Sequence, residues 1–191
     1  MDTWPDDLPA IAAHLWQRLA AACAASTPLR TPVLATEDDG QPAARVVVLR
    51  AADAATRTLA TYSDVRAAKV GQLRRNPAAH WLFYDPHARV QIRATGRVVI
   101  HHGDELARCA WETLPLAQRA NYAAPFSPGS EIARPTFALP MPANHDAGLG
   151  RFVVLCATLD RFDWLELGEP HHRRAAFAWD GHAWIGRWLV P

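Results

Sequence analysis

The chain has 191 residues, of which 50% are hydrophobic and 20% charged, and its formal net charge is +1. This is enough chain for one globular domain with a substantial core, and the near-neutral balance gives no electrostatic basis for binding nucleic acid. The three cysteines, Cys23, Cys109 and Cys156, stand far apart without a CxxC pair, which argues against a zinc ribbon or disulfide framework and fits a reducing cytosol.

The N-terminus lacks a basic region followed by an apolar core, so no signal peptide is expected, and no apolar run approaches a membrane span. A cytoplasmic protein is the expectation. Leu8, Ile11, Leu15 and Leu19 mark an amphipathic first helix within residues 1–28, preceded by Asp6-Asp7 and ended before Pro28. Thr31 to Thr36 reads as a strand, and Glu37-Asp38-Asp39-Gly40 as a hairpin turn. The returning strand, Arg45 to Arg50, carries four apolar residues in a row, a pattern of a strand covered on both faces. Strand alternation would point Arg45 and Arg50 to opposite faces.

Thr58 to Tyr62 is the next strand. Ser63 and Asp64 are suited to cap a following helix, in which Val65, Ala68 and Leu73 share a face and Asn76-Pro77 marks the end. Arg66 and Lys69 stand three apart on its first turns, where two cations beside free helix N–H groups suit an anion. Lys69 is the only lysine in the chain. Ala79 to Tyr84 is an aromatic-rich strand. From Arg89 to Val98 polar and apolar residues alternate, which gives a half-exposed strand. Its polar face is either a solvated arginine face or a surface on which Gln91 and one or two arginines meet an anionic or heteroaromatic ligand.

A helix follows from about Asp104 to Thr113, then a short one opened by Pro115. Residues 124–150 form a long Pro/Gly-rich loop, able to cover a site or reach a partner. Arg151 to Asp160 and Phe162 to Leu167 read as two strands, and Arg173 to Leu189 as a hairpin turning at Asp180-Gly181. Seven or eight closely spaced strands with no repeating strand–helix–strand series predict a mainly antiparallel barrel with peripheral helices, in one domain over residues 1–191.

There is no GxGxxG, Walker or GxSxG motif. The pairs His101-His102 and His171-His172 are adjacent, and neighbours on a strand face opposite ways, so no metal site is expected.

Several motifs occur together in order. They are Arg45-Val46-Val47-Val48-Leu49-Arg50, Thr61-Tyr62, Arg66 to Lys69 with Lys69 eight residues before Pro77, and Gln91 within Arg89 to Gly96. Trp164, Arg174, Trp184 and a terminal Leu189-Val190-Pro191 complete the set. In this the chain resembles the pyridoxamine 5′-phosphate oxidase family of FMN-binding split β-barrels, which form homodimers with FMN in the dimer cleft. The resemblance runs from about Pro32 onward. It implies that Arg45 and Lys69 hold the FMN phosphate, with Arg66 helping. It also implies that backbone at Val46, Val47, Val48 and Leu49 and at Thr61-Tyr62 lines the ring, and that Gln91 bonds its pyrimidine edge. Ser130, Trp164 and Arg174 would reach the cofactor from the partner subunit. Arg50 stands where the family has a substrate lysine, and His172 where it has a substrate histidine.

The departures are informative. The helix-start serine and arginine of the family are Ala67 and Ala68 here. Its Tyr, Arg and Ser grip on a substrate phosphate aligns with Ala110, Leu114 and Gln118, and Pro170 replaces its substrate arginine. The resemblance therefore implies an FMN-dependent oxidoreductase on a small substrate other than pyridoxamine phosphate, in the branch spelled D-x-R-x-x-K at Asp64 to Lys69. The alternative is a non-catalytic binding module for FMN or another flat cofactor such as haem or deazaflavin.

Overall fold

The computed structural model describes residues 4–134 and 144–191. Helix α1 (Leu8–Ala24) begins where the Asp7 carboxylate accepts the Ala10 N–H at 3.0 Å, with a proline in its first turn. Ile11, Leu15, Trp16 and Leu19 recur at helical spacing and are buried. This face packs on strands β3 (Leu49–Asp53) and β9 (Trp184–Leu189), so the expected first helix lies against the sheet.

Strands β1 (Val33–Asp38) and β2 (Gln41–Val46) form a hairpin. Its turn needs positive φ at Asp39 (49°) and Gly40 (79°), which aspartate tolerates and glycine takes freely. With β4 (Thr58–Asp64), β5 (Ala78–Asp85), β6 (Val90–His101), β7 (Phe152–Glu166) and β8 (Arg173–Trp179) there are nine strands among the described residues. All pairs are antiparallel. The order is β2-β1-β5-β6-β7-β4-β3, with β8 branching from β7 and β9 pairing β8.

β2 and β3 occupy the two ends of that path, yet only Val47 and Val48 separate them in sequence. The sheet therefore curls until its ends meet. The Val47 N–H donates to the Pro32 carbonyl at 2.9 Å, and the Val48 carbonyl accepts the Thr61 hydroxyl at 2.8 Å. The Arg45–Arg50 stretch is thus two strands and not one. Its apolar run is not covered throughout, since Val46 is 65% exposed while Val47 and Leu49 are buried. The physical reason is closure: the segment leaves one neighbour, β1, and joins another, β4.

β7 is a single strand of 15 residues, where two strands were expected. Phe152–Thr158 pairs with β4, and Arg161–Glu166 pairs with β8. β6 follows it along both halves, with its register shifting between Thr95 and Gly96. The barrel interior holds Leu34, Trp81, Phe83, Ile92, Phe162 and Trp164. Helices α3 (Glu105–Thr113), capped by Asp104, and α4 (Leu116–Ala123) cover the start of β7 from outside. There Trp111, Leu114, Phe152 and Val154 form a second small core.

The irregular stretch expected over 124–150 is irregular at 124–134 and 144–148 and ends in a short turn at Leu149–Arg151, while Pro135, Pro140 and Pro142 lie outside the described residues. No helix among the described residues is long and apolar enough to cross a membrane.

At the register shift a Cβ on Gly96 would stand 2.2 Å from the Thr158 carbonyl oxygen and 2.9 Å from the Leu159 Cα. These are backbone atoms and cannot rotate away. Gly96→Ala is expected to destabilise the protein by about 1–3 kcal/mol or more, as overpacking does. Urea unfolding measures this, and an unchanged midpoint would show that β6 and β7 separate there without cost.

Candidate functional site

Helix α2 (Ala68–Arg75) starts later than the sequence suggested. Asp64 closes β4, and its Oδ1 accepts the Arg66 N–H at 2.8 Å. This local turn holds the chain out of the helix for one more step. Ala67 is the cap residue and offers no side-chain hydrogen bond. Ser63 and Asp64 therefore do not cap the helix, and Arg66 lies outside it. The Arg66 guanidinium grips the Asp64 carboxylate at 2.6 and 2.9 Å and reaches the Ala124 and Pro125 carbonyls. Its hydrogen bonds pin the loop after α4.

Arg45 and Lys69 do come together. Arg45 is half-buried at the end of β2. Its Nη1 donates to Thr36 Oγ1 at 2.6 Å and to the Leu34 carbonyl at 3.3 Å, and its Nη2 donates to Gln72 Oε1 at 2.9 Å. Thr36 also donates to Gln72 at 2.6 Å. Two buried polar side chains thus hold the guanidinium in one pose, and its Nε–H has no acceptor among the described residues. Gln72 went unnoticed in the sequence. Its signal was an amide on the apolar stripe between Val70 and Leu73.

Lys69 makes no hydrogen bond or ion pair with the described residues. Burial, then the neighbouring Arg45, pushes its ammonium below the ordinary lysine range, and Asp64 opposes this only in part. Burial likewise lowers Arg45. Two part-buried cations thus stand beside an uncapped helix N-terminus, Lys69 destabilised by Arg45, an arrangement whose chemistry suits an anion.

The remaining residues divide into two groups. Arg50 lies over the Tyr62 ring, 5.3 Å from its centroid, and its Nε is sealed from solvent without a partner among the described residues. Tyr62 packs edge-on to Phe152 at 5.0 Å, and Phe152 packs edge-on to Tyr122 of α4, also at 5.0 Å. Burial pushes the Tyr122 phenol up to about 12, against the pull of Arg50. Thr61 is buried, with its hydroxyl on Val48.

On the outer face of the sheet, cross-strand register places Gln91 opposite Leu165, and Leu165 opposite Arg174. Arg174 is bound to Asp163 at 2.9 and 3.2 Å. Trp164 takes the opposite face. It is fully buried, with its ring 5.2 Å from Trp4, and offers no surface to a ligand beyond this chain. The ring-side role implied for it belongs in this geometry to the core. Ser130 is exposed in the loop, its N–H on the Ser127 carbonyl, and His172 is exposed with Nδ1 3.1 Å from the Gly168 carbonyl. Neither stands near the Arg45–Lys69 pair in the described contacts. No group of three metal-ligating side chains occurs among the described residues.

Residues 13–102, which contain Arg45, Lys69 and Gln91, match the family model described as pyridoxamine 5′-phosphate oxidase, FMN-binding domain. Among solved structures, the chain is similar to a pyridoxamine 5′-phosphate oxidase-related, FMN-binding protein from Nostoc punctiforme. The two share 26% identity and a TM-score of 0.79, over 98% of this chain and 100% of that one. Two further structures share the fold. PhzG from Burkholderia lata is 21% identical, with a TM-score of 0.74 over 97% of this chain and 95% of its own. A general stress protein 26-related protein from Clostridium acetobutylicum is 12% identical, with a TM-score of 0.57 over 88% and 95%. No curated protein matches the sequence. The chain is therefore a mainly antiparallel split barrel with peripheral helices, as expected.

Tyr122 supplies a test of the pocket beneath α4. Its folded pKa lies above the ordinary tyrosine value of about 10, so the unfolded chain loses the phenol proton first and stability falls as pH rises from about 10 towards about 12. Burial also raises Tyr62, so ultraviolet titration should show the latest phenol lost in Tyr122→Phe while a raised Tyr62 remains. Ionisation of all three tyrosines near the ordinary value would mean that α4 leaves this ring in water.

Proposed function

We propose that the chain binds FMN and works as a flavin-dependent oxidoreductase on a small substrate. The observation that carries this reading is the Arg45–Lys69 pair. Both cations lie within the family-matched segment, and both are held below their ordinary pKa by burial, Lys69 also by the neighbouring Arg45. A phosphate dianion suits this pair. Arg45 offers its Nε–H from a pose fixed by Thr36 and Gln72, and Lys69 adds a point charge beside the backbone N–H groups that open α2.

FMN, when bound, supplies a ring that accepts a hydride and passes electrons onward. The chain's own part is binding and orientation. Gln91 is half-buried on the outer face and has amide donor and acceptor for the pyrimidine edge. Arg174 of a second copy would face the ring. Its charge is shared with Asp163 and Arg93, a triad that keeps one net positive charge and favours negative charge on the ring. Arg50 and His172 lie on the substrate side in this reading. Arg50, with its unpartnered Nε between Tyr62 and α4, would meet the substrate's anionic group. The site needs two copies, so the protein works as a homodimer.

The decisive measurement is the visible spectrum of the purified protein before and after FMN addition and gel filtration. Flavin bands co-eluting with a dimer are expected, and the bound flavin should be reduced by a nicotinamide donor or by an amine or alcohol substrate. A colourless protein that rejects FMN would overturn the reading.

Lys69→Met separates binding from folding. It removes a charge that is costly in the folded state, so the flavin-free protein should melt higher than wild type. It also removes one charge-assisted bond to phosphate, so FMN affinity should fall by the equivalent of about 1.5–3 kcal/mol. Thermal melts and flavin titration read the two effects. Unchanged affinity would place the phosphate elsewhere.

A further inference from the structure

Gln72 joins the two sides of the Arg45–Lys69 pair. Arg45 comes from the end of β2, and Lys69 from the first turn of α2. Gln72 stands three residues after Lys69, on the next turn of the same helix. Its Oε1 accepts from Arg45 Nη2 at 2.9 Å and from the Thr36 hydroxyl at 2.6 Å. The Thr36 hydroxyl in turn accepts from Arg45 Nη1 at 2.6 Å. The three side chains close a ring of hydrogen bonds in which Gln72 and Thr36 are buried. The helix that carries the ammonium and the uncapped N–H groups thereby also sets where the guanidinium stands.

The link is neutral where an acid would also fit. The part-buried guanidinium groups of Arg66, Arg173 and Arg174 each meet a carboxylate. Arg45 meets an amide oxygen, a hydroxyl and the Leu34 carbonyl, and no ion pair with it occurs among the described residues. Asp38, whose charge reaches it, is itself bound to Arg75 at 2.7 Å, and the effect of burial on Arg45 prevails. Arg119 also lacks an acid, but its guanidinium is spent on four backbone carbonyls. Arg45 keeps its Nε–H without an acceptor among the described residues. A carboxylate in place of the Gln72 amide would accept the same two hydrogen bonds and cancel the charge. The amide fixes the direction of Arg45 and leaves its charge uncompensated.

We propose that Gln72 is a positioning residue that makes the site selective for a phosphate dianion: it fixes Arg45 relative to Lys69 and, being neutral, preserves the charge of both. The site then favours the phosphorylated form of its ligand over the unphosphorylated form. The identity of that ligand rests on the flavin reading above, and the role of Gln72 rests on the hydrogen-bonded ring.

The test is titration of the flavin-free full chain with FMN and with riboflavin, which differ only in the phosphate, alongside thermal melts. The wild type should bind FMN about tenfold or more tightly than riboflavin. Gln72→Glu keeps the ring of hydrogen bonds and gives Arg45 an acid partner, so it should melt no lower than wild type yet bind FMN about tenfold or more weakly. Gln72→Met removes the acceptor from Arg45 and Thr36, so it should melt lower and also bind FMN more weakly. Riboflavin affinity should stay unchanged in both variants. A purely structural glutamine would instead move the melting temperature and both affinities together, and that result would overturn the proposal. So would a wild-type preference for FMN that survives both substitutions, which leaves the flavin reading standing. Equal binding of FMN and riboflavin by the wild type would overturn the phosphate site itself, and the role of Gln72 with it.

Discussion

The long strand β7 must serve two sheets at once. It pairs with β4 over its first half and β8 over its second, while β6 stays beside it throughout. A strand with ladder partners on both edges can exchange one of them only where the alternation of side chains is reset. That reset is the register shift beside Gly96, where the two backbones approach too closely for any side chain. Everything functional depends on this geometry. The first half of β7, with β4, closes the barrel and seats α3 and α4. The second half, with β8 and β9, curls outward and carries the Arg174–Asp163 pair on the outer face.

The consequence is a molecule with cationic sites on two faces of one sheet. Arg45 stands in the cross-strand row of Leu34, Trp81 and Ala94, which are buried in the barrel. Arg93 and Arg174 lie on the other face. The inner row is almost wholly apolar, so an arginine at its end must be supported, and Thr36 and Gln72 provide that support from inside the core. Such a network fixes direction more than it adds stability. The arginine is held to point, and Lys69 beside it is left without a partner among the described residues. A fold that keeps a half-buried ammonium near a guanidinium gives up stability in the free state, and an anion bound there returns it.

Local patterns made much of this legible. The Asp39-Gly40 hairpin, the Asn76-Pro77 helix end and the alternation of Val90 to Val98 each follow from backbone constraints within a few residues. The motif order around Arg45, Lys69 and Gln91 was also readable, because it lies in the stretch the family model covers. What could not be read depends on distant partners. Nothing in RVVVLR says that Val46 ends one strand and Leu49 begins another, because barrel closure decides it. Nothing in DVRAAK says that Asp64 prefers the Arg66 N–H to a helix cap. Trp164 looked like a residue for a ring because its sequence position matched. In the fold it lies against Trp4, a contact between residues some 160 apart in the chain. Tyr122 and Asp163 carried no local signal, since a tyrosine on a short helix and an acid in a strand are ordinary until their neighbours are known.

The arginine bias of the chain now has a physical sense. Arg66 on Asp64, Arg173 on Glu166 and Arg174 on Asp163 are part-buried pairs whose planar forks span more than one acceptor atom, and Arg93 joins the last through one bond. Arg119 shows the same use without any acid: its guanidinium is buried and donates to the carbonyls of Trp111, Glu112, Leu114 and His145, stitching α3 to α4 and the loop. A lysine, with a compact charge and a larger desolvation cost, would do none of these jobs as well. The one lysine stands where no protein acceptor is in reach among the described residues and where a point charge suffices, at the first turn of α2 beside Arg45. In this chain guanidinium groups hold the structure together, and the single ammonium is left without a partner among the described residues.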